Sequence, residues 1–103
     1  MSELQITTRY RGGSIRVAAR GEVDLTCSAR LAQALDAAAR TGRARRLIVD
    51  LDQVTFLDST GIGALVQGRH EAAAHGMTYQ VINPHGIVAR ILTISGADAV
   101  LSD

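Results

Sequence analysis

The sequence predicts an α/β domain: a small, mixed but largely parallel sheet of four to five strands with helices packed against it, in the order β-β-α-β-α-β-α(-β). Three observations carry that expectation. Two alternating apolar runs flank Gly12-Gly13, the pattern of a β-hairpin. Leu47-Ile48-Val49-Asp50-Leu51 is short and almost continuously apolar, the pattern of a central strand covered on both faces. Beyond the hairpin, runs of helical period alternate with strand-like runs, which implies right-handed crossovers between parallel strands.

Composition sets the bounds. A chain of 103 residues forms one domain, spanning 1–103, with a modest core. Its apolar residues are mainly Ala, Leu, Ile and Val, with one Phe, two Tyr and no Trp, so that core is aliphatic. A net charge of +1 makes no case for nucleic acid or for a membrane surface. The basic cluster Arg40, Arg43, Arg45 and Arg46 reads as a solvated helix end, with cations near the negative pole of the dipole. Cys27 is the lone cysteine, which rules out an intrachain disulfide and suits a reducing cytoplasm. Met1-Ser2-Glu3-Leu4 lacks the basic head and apolar run of a signal peptide, and no apolar stretch approaches the ~18 residues of a membrane span. The expectation is a soluble cytoplasmic domain with no direct membrane insertion.

Taken in order, Leu4, Ile6, Thr8 and Tyr10 alternate as in a half-buried strand, Arg11-Gly12-Gly13-Ser14 turns, and Ile15, Val17 and Ala19 alternate again. Gly21-Glu22-Val23-Asp24 breaks this second strand. Thr26 or Ser28 starts a helix that runs to about Thr41, ends at Gly42, and buries Leu31, Leu35 and Ala38 with help from Ala34. The strand at Leu47–Leu51 leads through Asp52-Gln53 into the stretch around which the chain is organised, Val54-Thr55-Phe56-Leu57-Asp58-Ser59-Thr60-Gly61-Ile62-Gly63. That stretch begins extended and becomes helical after Asp58-Ser59, with Ile62, Leu65 and Val66 on one face and Ala72 and Ala73 further along. His75-Gly76 ends this helix. Met77 to Ile82 forms another strand, and Asn83-Pro84 turns, with Pro84 suited to a first helical turn. Ile87, Val88, Ile91 and Leu92 form the buried face of a third helix closed by Ser95-Gly96, and Ala99-Val100-Leu101 reads as a last short strand.

Most catalytic readings fail on spacing. A nucleophile elbow needs Gly-x-Ser-x-Gly, and Leu57 occupies the first glycine position before Ser59. His70 lies three helical turns from Ser59, roughly 16 Å along the axis, and His75 lies further, so only His85, in a different turn, could approach it. Asp58-Ser59-Thr60-Gly61 has a residue too many for the Asp-Ser/Thr-Gly of aspartic proteases. Gly61-Ile62-Gly63 lacks the third glycine of a dinucleotide fingerprint, Val66 standing in its place, and the chain has no lysine for a P-loop. No His/Cys pair has metal-ligand spacing. The expectation is a protein that is not an enzyme and holds no cofactor or metal.

What remains is a hydroxyl in acidic company. A Ser or Thr at this junction serves as a helix cap, the commoner use. The same place tolerates a phosphate, because free N–H groups and the helix dipole favour negative charge. Asp58 precedes Ser59 directly, and Asp24 follows the second strand; in a parallel arrangement the two turns share one end of the sheet. A phosphate on Ser59 would add about −1.5 to −2 charges beside two carboxylates, and a docked partner would meet both charge and bulk.

These residues resemble those of anti-sigma factor antagonists, STAS domains of the bacterial sporulation and stress-response type. Gly21-Glu22-Val23-Asp24 resembles the family's Gly-Glu-Leu-Asp, Leu47–Leu51 with Val54 to Gly63 resembles its phosphorylation-site signature, and Pro84 through Arg90 to Ser95-Gly96 resembles its third-helix segment. The resemblance implies a single STAS domain whose unphosphorylated form binds an anti-sigma factor with serine-kinase activity and so releases the sigma factor. It implies Ser59 as the phosphoacceptor, with Thr60 as a second available hydroxyl, and a serine phosphatase of the PP2C type that reverses the modification. Asp24 and Asp58 become acidic neighbours on the docking face, and Thr60, Gly61 and Gly63 shape the helix start. The alternative is a STAS subunit of a membrane lipid- or anion-transport complex, docking through the same face.

Overall fold

The computed structural model describes residues 3–101. Four strands, β1 (Gln5–Arg11), β2 (Ser14–Val23), β3 (Arg46–Leu57) and β4 (Thr78–Ile82), form one sheet in the order β1-β2-β3-β4. β1 and β2 are the expected antiparallel hairpin, and β2, β3 and β4 run parallel. The connections are α1 (Ser28–Arg40) and α2 (Ser59–Ala74); α3 (Gly86–Ile94) and the short α4 (Ala97–Leu101) follow β4.

One aliphatic core holds these elements together. Ile15, Val17, Ala19, Leu47, Val49, Leu51 and Tyr79 point from the sheet into it, and Leu31, Leu35, Leu65, Val88 and Leu92 meet them from the helices. The opposite face of the sheet is open. Its positions, from Thr7, Arg9 and Arg11 across Arg16, Ala18 and Arg20 to Ile48, Asp50 and Gln80, are all exposed or half-buried. This corrects the reading of Leu47–Leu51 as a strand covered on both faces. Ile48 faces outward, and the run is apolar without being enclosed.

Several boundaries also differ. β2 does not break at Gly21-Glu22-Val23; it kinks there through register shifts against β3 and continues to Val23, so the break falls at Asp24. β3 is a single strand through Asp52-Gln53. Arg46 opens β3 instead of belonging to a helix end. Pro84 lies before α3, outside its first turn. The Asn83 amide donates to Asp50, and the His85 ring sits 2.6 Å from the Asp52 carbonyl oxygen, so the chain stays tethered to β3 until Gly86. Ala99–Leu101 is helical, not a fifth strand. Gly96, at φ +78°, ends α3, and Ala97 and Leu101 then bury at i and i+4 spacing, which three residues of sequence could not distinguish from alternation.

The buried face of α2 is rotated from the expected one. Gly61, Ala64, Leu65, Gly68 and Ala72 face inward, Ile62 and Val66 are half-exposed, and Ala73 is exposed. Small residues win the inner positions because the neighbours are close. A Cβ on Gly68 would lie 2.6 Å from Leu35 Cδ1 and 2.9 Å from the Tyr79 hydroxyl, which itself donates to the Leu65 carbonyl. α3 likewise buries Val88 and Leu92 but leaves Ile87 exposed.

Gly68→Val should therefore lower stability by about 2–3 kcal/mol in urea unfolding, because α1 and β4 must shift to admit it. Gly63→Ala, on the same helix with no atom near its added Cβ, should raise stability by up to ~1 kcal/mol through helix propensity.

Candidate functional site

The site forms where two neighbouring strands end together. Val23 and Leu57 are register partners in the parallel β2–β3 ladder, and the Asp58 N–H donates to the Val23 carbonyl at 3.2 Å. Asp24 and Asp58 therefore leave the sheet side by side, as the parallel arrangement predicted. α2 starts immediately, packed tightly against this edge. A Cβ on Gly61 would lie 3.1 Å from Leu57 Cβ and from both Val23 Cγ1 and the Val23 carbonyl oxygen. Glycine at position 61 is thus what lets the helix begin against the strand ends. Gly63 plays no such part: it is exposed, with open space where a side chain would be.

Both turns use the same local device. At the α2 end, Asp58 Oδ1 accepts from the Thr60 N–H at 2.9 Å, the Thr60 hydroxyl at 2.5 Å and the Gly61 N–H at 3.1 Å. At the other turn, Asp24 Oδ1 accepts from the Thr26 N–H at 3.0 Å and the Thr26 hydroxyl at 2.6 Å. Each aspartate clamps the residue two positions on and leaves the residue between them outside the clamp. Those intervening residues are Ser59 and Leu25, and both are exposed.

The helix cap is therefore Asp58, not a hydroxyl at Ser59. Ser59 is the first residue of α2, and among the described residues its hydroxyl makes no hydrogen bond. Thr60 is half-buried with its hydroxyl held by Asp58. Ser59, the expected acceptor, and Thr60, its alternative, are thus physically distinct: one hydroxyl is free and outward, the other engaged.

Leu25 is the residue that sequence reasoning missed. It is 76 % exposed, beside the two aspartates. The signal was present in the parallel between Asp24-Leu25-Thr26 and Asp58-Ser59-Thr60, which places both middle residues in equivalent turns. Along α2, Gly63 lies one turn from Ser59 on the same side, with half-exposed Ile62 and Val66 beside it. Exposed Leu25 and half-exposed Ile62 and Val66 thus lie at the same end of the sheet as two carboxylates and one free hydroxyl.

Hydrogen bonding lowers the titration of both acids. The Thr60 hydroxyl, opposed by partial desolvation and helped by the Gly61, Thr60 and Leu25 N–H groups, holds the Asp58 carboxyl below its ordinary value. The Thr26 hydroxyl and N–H do the same for Asp24, while the negative charge of Asp58 pushes the other way. Both are ionised at neutral pH. The histidines do not converge on Ser59: His75 Nδ1 lies against the Glu71 carbonyl, and His85 is bound to Asp52. Among the described residues no group of three His, Cys, Asp or Glu could hold a metal, and no helix is long and apolar enough to cross a membrane.

A family model described as "Mlab, STAS domain" matches residues 6–102. The chain belongs to the STAS domain family. Its fold is also that of several solved structures. An anti-sigma factor antagonist from Mycobacterium paratuberculosis superposes with a TM-score of 0.86 at 22% identity, over 96% of this chain and 83% of that one. The phosphorylated form of SpoIIAA, a cell fate determinant of Bacillus, gives 0.69 at 18% identity, over 96% and 90% of the two chains. The murine anion transporter Solute Carrier 26 family member A9 gives 0.74 at 22% identity, over 85% of this STAS domain but 14% of the transporter. At these identities the likeness is one of fold.

Asp58→Ala should cost about 1 kcal/mol at pH 7, the usual worth of a helix cap. Because the native carboxyl titrates below its unfolded value, near 4, the cap stabilises fully above that pH and its contribution disappears as pH falls through the lowered native value. The stability gap between parent and variant should thus shrink below about pH 4 in unfolding measured across pH.

Proposed function

We propose that this STAS domain is a non-enzymatic anti-sigma factor antagonist of the partner-switching kind, controlled by phosphorylation at Ser59. The observation that carries this reading is the free, outward hydroxyl of Ser59 at the start of α2, within the surface made by Asp24, Leu25 and Gly63. In the unmodified state, an anti-sigma factor docks on that surface. Leu25 supplies an apolar anchor, and bare backbone at Gly63 admits close approach. The docked factor, acting as a serine kinase, transfers the γ-phosphoryl group of Mg-ATP to Ser59 Oγ, breaking the bond to the β–γ bridging oxygen and releasing ADP and the hydroxyl proton. A PP2C-type phosphatase returns the hydroxyl by hydrolysis.

The fold withstands the phosphate while the complex does not. A phosphate on the first helical residue gains ~0.3–1 kcal/mol from the helix dipole and exposed N–H groups. Its charge of about −1.5 to −2 sits beside Asp24 and Asp58, where a docked partner meets added bulk and repulsion. About 1.4 kcal/mol of lost affinity weakens a complex tenfold. Thr60 is the poorer acceptor, since modifying it would break its bond to the cap.

The family description and the fold likeness to an anion transporter support a second reading, in which the same surface docks on a membrane lipid- or anion-transport complex. The two readings separate by experiment. With a cognate anti-sigma kinase and Mg-ATP, Ser59 should be labelled; Ser59→Ala should stay bound throughout; Ser59→Asp should bind at least roughly tenfold more weakly. An unlabelled chain that copurifies with a permease or ATPase would select the second reading. Under the first, Leu25→Ala should weaken the kinase complex by about tenfold or more while leaving thermal stability unchanged, since the side chain is mostly in solvent.

A further inference from the structure

We propose that the open face of the sheet carries a binding site for a compact polyanion with two or more linked phosphoryl groups, held by Arg9, Arg11 and Arg16. The site lies far from Ser59. Arg16 precedes Asp24 by eight residues of β2, roughly 26 Å at strand rise.

The strand register gathers the charge. Arg9 and Arg16 are direct cross-strand partners, Arg11 follows Arg9 on the same face, and Arg20 continues the row along β2. Same-face neighbours on one strand lie about 7 Å apart and direct partners about 5 Å, so three guanidinium stems rise from one small triangle. They line a concavity of about 300 Å³ together with Ser14 and Ile48. Asp50, 3.5 Å from Arg16, is the one carboxylate that contacts them among the described residues. One oxygen of that carboxylate is already occupied by the Asp52 N–H and the Asn83 amide. Arg9 and Arg11 have no hydrogen-bond or ion-pair partner among the described residues.

Such an arrangement works against the free protein. Like charges placed directly opposite on a sheet are destabilising. Charges on an edge strand discourage strand addition, but scattered charges of either sign do that without opposing one another. Concentrated guanidinium groups match the bidentate geometry of phosphate oxygens. The occupant follows from the rest of the concavity. None of the chain's three aromatic rings lines it, so it offers no platform on which bases of a single strand could stack. Its apolar contribution is Ile48 at half burial, with nothing that protrudes to enter a bilayer. The small volume and dense charge suit adjacent phosphoryl groups on one small molecule.

The test is calorimetric titration of the full chain with sodium tripolyphosphate at low ionic strength. Saturable binding is expected, falling steeply with added salt. The double variant Arg9→Ala, Arg16→Ala should bind at least roughly tenfold more weakly, and Arg90→Ala, a surface arginine on α3, should bind as the parent does. Thermal unfolding of the free double variant should match or exceed that of the parent, since a repulsive pair is removed, so weakened binding cannot be put down to misfolding. The proposal is overturned by the lack of saturable binding at millimolar tripolyphosphate, or by equal affinity in the double variant. It is overturned equally if single-stranded oligonucleotide or phosphatidylglycerol vesicles bind where tripolyphosphate does not.

Discussion

The parallel pairing that ends at Val23 and Leu57 is the constraint on which the rest of this molecule depends. It delivers two aspartates to one end of the sheet, and a helix starts directly after the second. The Asp58 N–H bonded to Val23 and the bare Cα of Gly61 against Val23 and Leu57 fix that helix to the strand ends. Any slip in register would carry Asp24 away from Asp58 and turn β2's buried residues outward. The placing of Asp24 beside Asp58 is thus a direct product of the hydrogen-bond ladder beneath it.

Division of labour within the turns follows from the chemistry of short polar side chains. An aspartate after a strand satisfies the N–H groups two and three residues on, which would otherwise lack partners at a helix start. Once Asp58 does this, Ser59 has no capping duty, and its hydroxyl stays exposed to solvent. Thr60 is drawn into the cap. The same clamp at Asp24 holds Leu25 outward, an unfavourable place for a leucine unless a partner covers it. The inward face of α2 reinforces the effect. Gly61 brings the helix close to the ends of β2 and β3 and Gly68 brings it close to α1 and β4, while the larger Ile62 and Val66 are left toward the outside.

The helices cover one side of the sheet and leave the other to water. Charge is sorted by this asymmetry. A net charge of +1 conceals a sheet face where arginines cluster and a helix-start surface where carboxylates do. Alternation in β1 and β2 was legible because each strand has one wet face. The run Leu47–Leu51 misled because Ile48 is apolar on the wet side. Ala99–Leu101 was too short for its period to be read, and the rotation of α2 was hidden because glycine and alanine give little periodic signal.

By itself, the sequence determined the order of strands and helices as far as α3, the aliphatic core, and the strand-to-helix junction within Val54 to Gly63. These are properties of local pattern: alternation, helical period, and turn residues at strand ends. Only the tertiary structure decided which of two neighbouring hydroxyls is free, that Leu25 stands beside them, and that arginines from β1 and β2 meet on one open face. The first depends on which side chain of one turn Asp58 holds, the second on the register of β2 against β3, and the third on hairpin register together with helices that cover only the other face.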